Sequence, residues 1–125
     1  MILDTNAVSA LFVGDAALEK VLASSSRHEL PVIVIGEYRY GLARSCSRKT
    51  LLPLLETLIA GSMVLSIGVR TAEAYALIRD RLRAAGTPIP ENDIWISALA
   101  IEHGLEVASR DTDFDRVAGL RRRSW

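Results

Sequence analysis

Read from its N-terminus, the chain alternates short apolar runs with longer stretches patterned at helical spacing. Ile2-Leu3 is a brief apolar start that breaks at Asp4-Thr5-Asn6, after which Ala7 to Phe12 read as helix. Gly14-Asp15 supplies a turn and an N-cap, opening a helix from Ala16 to about Ser24. Pro31-Val32-Ile33-Val34-Ile35 is β-branched and does not alternate, which predicts a strand buried on both faces. Gly36-Glu37 then leads into a helix to about Arg44. Another helix is predicted over Arg48–Ile59, with leucines at helical spacing, and Ser62 to Ile67 reads as a strand. Thr71–Ala85 carries Ala72, Tyr75, Ile78, Leu82 and Ala85 on one stripe, and Gly86 stops it. Thr87-Pro88-Ile89-Pro90 is a stiff connection to a helix over Glu91–His103, apolar on most sides and so predicted to be buried. After Gly104, Glu106–Ser109 reads as the last inner strand, and Arg121–Trp125 leaves room only for a short edge strand.

Strands alternating with helices imply an α/β fold with a parallel sheet covered on both faces. Ligands in such folds bind outside the carboxyl ends of the strands. Asp4, Glu37 and Asp111 each follow a predicted strand, and Asp93 falls in the first turn of the buried helix. Four acids are thereby expected to gather near one edge of the sheet.

Composition narrows the picture. The 125 residues suit one domain spanning 1–125, and 50% hydrophobic with 24% charged residues predicts an ordered core. A single cysteine, Cys46, excludes an internal disulfide and points to a reducing, cytoplasmic setting. No apolar run approaches the roughly 20 residues of a membrane span. The net charge of zero argues against nucleic-acid binding by bulk charge, although arginine dominates the basic residues.

Each acid has an ordinary alternative: Asp4 and Asp93 as helix-end residues, Glu37 as a dipole partner, Asp111 and Asp113 as turn residues. Together they indicate a cation site, because clustered carboxylates repel one another and raise their pKa values unless a cation sits among them. A hard divalent ion takes oxygen ligands, keeps several waters and leaves room for phosphate oxygens, which suits phosphodiester hydrolysis. His28 and His103 with one cysteine make no zinc ligand set.

Four segments carry a resemblance. Ile2-Leu3-Asp4-Thr5-Asn6, Ile35-Gly36-Glu37-Tyr38-Arg39-Tyr40-Gly41, Asn92-Asp93-Ile94-Trp95-Ile96-Ser97-Ala98-Leu99-Ala100 and Ser109-Arg110-Asp111-Thr112-Asp113-Phe114 resemble, in order and in spacing, the acidic motifs of PIN-domain proteins, and VapC toxins in particular. The match runs through essentially the whole chain. The resemblance implies a three-layer α/β/α sandwich with a central parallel sheet and an endoribonuclease dependent on Mg²⁺ or Mn²⁺. It implies inhibition by a VapB-like antitoxin, homodimerisation and toxin–antitoxin hetero-oligomers. Carried over by residue, Asp4, Glu37, Asp93 and Asp111 would hold the metal, with Asp113 as a helper. Thr5 and Asn6 would orient Asp4 or water, and Ser109 would fill a hydroxyl position that many relatives give to threonine.

Arg39, Arg110 and Arg116 are candidates for guiding an RNA backbone, since guanidinium matches phosphate geometry; Arg44 and Arg121 to Arg123 join them. Two rivals differ in class. A receiver-type phosphoacceptor would want adjacent acids after the first strand and a nearby lysine, and the chain offers neither. A catalytically inactive PIN-like RNA-binding or assembly module would tolerate lost acids, and all four positions are filled.

Overall fold

A computed structural model describes residues 1–125. Its centre is a five-stranded, wholly parallel sheet in the order β3-β2-β1-β4-β5, flanked by six α-helices and a 3-10 turn. The strands are β1 (Ile2–Leu3), β2 (Glu29–Pro31), β3 (Met63–Leu65), β4 (Val107–Ala108) and β5 (Arg122–Arg123). The helices are α1 (Thr5–Phe12), α2 (Ala16–Leu22), α3 (Val32–Ala43), α4 (Arg48–Gly61), α5 (Val69–Ala85) and α6 (Glu91–His103), with the 3-10 turn at Thr112–Arg116. The three-layer α/β/α sandwich and the parallel sheet are therefore present, including the short edge strand. No helix is long and apolar enough to cross a membrane.

The inner strands are buried on both faces: Ile2, Leu3, Val107 and Ala108 are all fully covered. That is why so few residues suffice for each of them, since every one contributes a side chain to the core. Helix α6 explains its lack of amphipathicity in the same way. Ile96, Leu99 and Ala100 pack into the main core with the sheet and α1 to α3, whereas Ile94 and Ala98 join Ile78 and Leu82 of α5 in a second cluster. Gly86 and Gly104 take left-handed φ values of 67° and 64° and close α5 and α6, as only glycine does cheaply.

One expected element differs. Val32 to Ile35 form no strand; they are the first turn of α3. Pro31 ends β2 with φ −61° and ψ 140°, lacks the N–H a ladder needs, and leaves its successors free to turn. Val34 is 1% exposed and Val32 42%, so the run buries one helical face rather than two strand faces. β-Branched residues lose little helix propensity, roughly 0.5 kcal/mol each, and packing overrides it. Glu37 is consequently carried in the second turn of α3 instead of behind a strand.

A candidate cation site at the carboxyl edge of the sheet

β1 and β4 are neighbours although two strands, β2 and β3, separate them in sequence, so the chain winds outward in both directions from this pair. The crevice at such a switch point is where open α/β sheets bind ligands. Here it is an open cleft of about 420 Å³ lined by Asp4, Thr5, Asn6, Ser9, Glu37, Asp93 and Asp111, with no hydrophobic residue among them. The four acids singled out from the sequence meet there, delivered by the end of β1, by α3, by α6 and by the segment after β4.

Asp4 is the most enclosed, 6% exposed. Its Oδ1 accepts from the Thr5 backbone N–H at 2.7 Å, closing the start of α1 as an N-cap. Its Oδ2 accepts from Asn6 Nδ2 at 2.7 Å and from Ser109 Oγ at 2.8 Å. Ser109, fully buried, also receives Asn6 Nδ2 at 3.0 Å and the Asp111 N–H at 2.9 Å, and Asn6 Oδ1 accepts the Arg110 N–H at 3.1 Å. Asn6 and Ser109 thus stitch the end of β1 to the end of β4.

Glu37 is held from two sides. Thr5 Oγ1 donates to Oε2 at 2.7 Å and Asn92 Nδ2 to Oε1 at 2.8 Å, which joins α1, α3 and α6 through one carboxylate. The Thr5 hydroxyl therefore serves Glu37, and only its backbone serves Asp4, because the first residue of α1 points its side chain at the helix that carries Glu37. Asp111 Oδ1 caps the 3-10 turn by accepting the Asp113 N–H at 2.9 Å. Asp113 is not a wall of the cleft, yet ligand oxygens of Asp93, Asp111 and Asp113 all lie within 4.8 Å of one another. Its carboxylate also pairs with Arg116 at 3.0 Å.

Electrostatics follow from this crowding. Burial pushes the Asp93 carboxyl up to about 7, with further upward pressure from Asp4, Asp111, Glu37 and Asp113. Asp4 is also raised, by burial first; hydrogen bonds from Ser109 and Thr5 oppose this, and the charges of Glu37 and Asp111 add to it. A cleft lined by carboxylates, hydroxyls and one amide, with no sulfur or imidazole, and whose acids resist shared ionisation, fits a hard divalent cation and no soft one.

The sequence reading missed two residues. Ser9 follows Thr5 by one helical turn and lines the cleft, its hydroxyl donating to the Thr5 carbonyl at 3.1 Å; the i, i+4 spacing was its signal. Asn92 stands beside Asp93 and was silent because its partner Glu37 is 55 residues away. The three candidate RNA contacts lie outside the cleft, each in an ion pair: Arg39 with Glu56, Arg110 with Asp15 and Arg116 with Asp113. Arg110 also lies over the Trp125 ring, 4.7 Å from its centroid.

Fold and cleft define an α/β/α sandwich with an acidic cleft, suited to a divalent cation, at its sheet edge. A model of the PIN domain matches residues 1–120. Ribonuclease VapC4 of Mycobacterium tuberculosis is 33% identical over 85 residues, and the match spans 66% of this chain and 65% of that protein, just under two thirds. A VapC ribonuclease of Sinorhizobium fredii is 30% identical over 131 residues, covering 96% of this chain and 93% of its own. Among solved structures, a chain of DNA-bound VapBC from Salmonella typhimurium superposes with a TM-score of 0.87 at 28% identity, over 99% of this chain and 96% of that one. The chain belongs to the PIN domain family, on its VapC-type branch.

Proposed function

We propose that this single PIN domain is a divalent-metal-dependent endoribonuclease, the toxin of a toxin–antitoxin pair that acts in the cytoplasm. The observation that carries the reading is the convergence of Asp4, Glu37, Asp93 and Asp111 on one open cleft at the switch point of the sheet. The VapC ribonucleases and VapBC complexes it resembles support the activity and the pairing with a VapB-like antitoxin in a hetero-oligomer. A homodimer of this chain forms the core of that assembly.

Asp4, Glu37, Asp93 and Asp111 would hold the metal, Mg²⁺ or Mn²⁺, with Asp113 as a helper whose carboxylate lies close to those of Asp93 and Asp111. When bound, the cation supplies neutralisation of phosphate charge and a water of lowered pKa. The protein's own part is orientation. Ser109 and Asn6 fix the Oδ2 of Asp4, Thr5 and Asn92 fix both oxygens of Glu37, and Asp113 N–H fixes Asp111. Water attacks phosphorus in line with the leaving 3′ oxygen, leaving a 5′-phosphate and a 3′-hydroxyl. The carboxylates position the reactants and do not attack.

The test is cleavage of a mixed tRNA and rRNA pool by antitoxin-free protein with Mg²⁺, with Mn²⁺ and with EDTA, beside Asp93→Asn. Cuts that need metal and vanish in the variant are expected. Folded protein that cuts nothing under any metal would move the assignment to a non-catalytic RNA-binding or assembly module.

A further inference from the structure

Nine of the 15 Lys and Arg side chains are ion-paired to carboxylates. Of the remainder, Lys20, Arg70 and Arg81 are scattered, whereas Arg44, Arg48 and Lys49 fall together at the turn joining α3 to α4. No acid occurs between Glu37 and Glu56, so a chain of zero net charge carries a stretch of one sign here. All three cations are exposed. Arg48 and Lys49 occupy the first turn of α4, where positive charge opposes the helix dipole and costs stability.

Tyr40 belongs to the same surface. It is 66% exposed, and the Arg44 guanidinium lies over its ring, 5.4 Å from the centroid. Exposed aromatic and guanidinium planes are the surfaces on which unpaired bases stack. Glu37 and Tyr40 stand at i and i+3 of α3, and Arg44, the residue that caps its C-terminus, follows at i+7 on the same side. At 1.5 Å per residue, Arg44 lies about 10 Å beyond Glu37 along the axis. Gly41, between them, has open space where a side chain would stand, so nothing interrupts the face.

We propose that Tyr40, Arg44, Arg48 and Lys49 form the contact that leads single-stranded RNA into the acidic cleft. Phosphates meet the three cations and a base stacks on Tyr40. The assignment rests on the ribonuclease reading above. It moves the backbone contact away from Arg39, Arg110 and Arg116, whose guanidiniums would have to leave Glu56, Asp15 and Asp113 to meet a phosphate.

The experiment uses the full chain with Asp93→Asn, so that RNA survives, titrated against a short labelled single-stranded RNA of mixed sequence across a salt series. Arg44→Gln/Arg48→Gln/Lys49→Gln is compared with Arg70→Gln/Arg81→Gln and with Tyr40→Ala, each shown folded by circular dichroism. The triple variant is expected to lose affinity about tenfold and to lower the log–log salt slope by about 2, since each single-strand phosphate contact contributes ~0.7. Tyr40→Ala is expected to weaken binding severalfold with the slope unchanged, and the Arg70/Arg81 variant to bind as the parent does. Unchanged affinity and slope in the triple variant overturn the proposal, and so does an equal loss in the Arg70/Arg81 control. Loss of a protein partner with RNA affinity intact overturns it in favour of a protein interface. If the unsubstituted chain cuts RNA with metal while the triple variant binds normally, this proposal alone falls. If the unsubstituted chain neither binds nor cuts RNA, the ribonuclease reading falls and takes this one with it.

Discussion

Asp93 is the one cleft carboxylate whose charge is opposed by burial and by every neighbour, with no hydrogen bond to relieve it. Removing that charge has opposite effects on activity and stability. Asp93→Asn is expected to abolish metal-dependent cleavage, yet to raise the Tm of metal-free protein at pH 8 by roughly 3–6 °C, as about 1 kcal/mol does in a domain of this size. That allowance is already reduced for solvent screening in an open cleft. At pH 3, below the unfolded value of 3.8 as well as the folded one, Asp93 is largely neutral in both states and the two melting curves should nearly coincide; a variant less stable at pH 8 would show that Asp93 does structural work. Ser109 makes the opposite case. Its hydroxyl is fully buried and serves Asp4, Asn6 and the Asp111 N–H at once. Ser109→Ala strands these partners and is expected to cost about 1–3 kcal/mol by chemical denaturation. It is also expected to weaken divalent-metal binding, measured by calorimetry. Ser109→Thr, keeping the hydroxyl, should recover the metal affinity.

At the scale of elements, the clearest divergence between pattern and structure lies at Val32 to Ile35. An unbroken β-branched run carries the same periodicity signal in a buried strand and in the first turn of a half-buried helix. What decides is Pro31, whose missing N–H ends the ladder, and the depth of the neighbouring strands, which no local window reports. Helices α5 and α6 were legible because stripes and stop signals agreed: Gly86 and Gly104 lie just past the last patterned residues. Asp4, Asp93 and Asp111 were legible as acids at strand ends and a helix start, positions that topology brings together, whereas Glu37 reaches the cleft from the second turn of α3 and not from the strand end the pattern predicts. The bonds that tie the elements were not, because Thr5 to Glu37 and Asn92 to Glu37 span 32 and 55 residues. Asn92 is where this can be tested. Asn92→Ala leaves α6 intact but frees one oxygen of Glu37, and it is expected to weaken metal binding about tenfold, the lower end for loss of a ligand's hydrogen-bond partner. Calorimetry at fixed pH reads this directly, and unaltered affinity would show that Thr5 alone suffices.

The whole molecule answers to pH through the same cleft. Asp4 and Asp93 both have folded-state pKa values raised above those of the unfolded chain. Their contribution to stability is therefore fully present below the unfolded value of 3.8 and is lost as pH rises, for Asp93 through about 7. In EDTA the melting temperature is expected to carry a falling component between pH 4 and 8, and saturating Mg²⁺ should remove it, because a ligand bound only by the folded state stabilises by mass action. A metal-free profile that does not change when Mg²⁺ is added would count against a cation among these acids. The arginine pairs bear on the same scale: Arg121 and Arg123 share Glu106 and Arg122 grips Asp115, so the basic C-terminus is largely neutralised within the fold. The Glu37 carboxylate, finally, is pinned between α1 and α6 before any substrate arrives. A blade mounted on three fixed supports has no sheathed position of its own. On the proposed toxin reading, restraint falls to a second molecule and not to any movement of these helices, and a cell in which that molecule runs short is left with an edge that needs no further switching on.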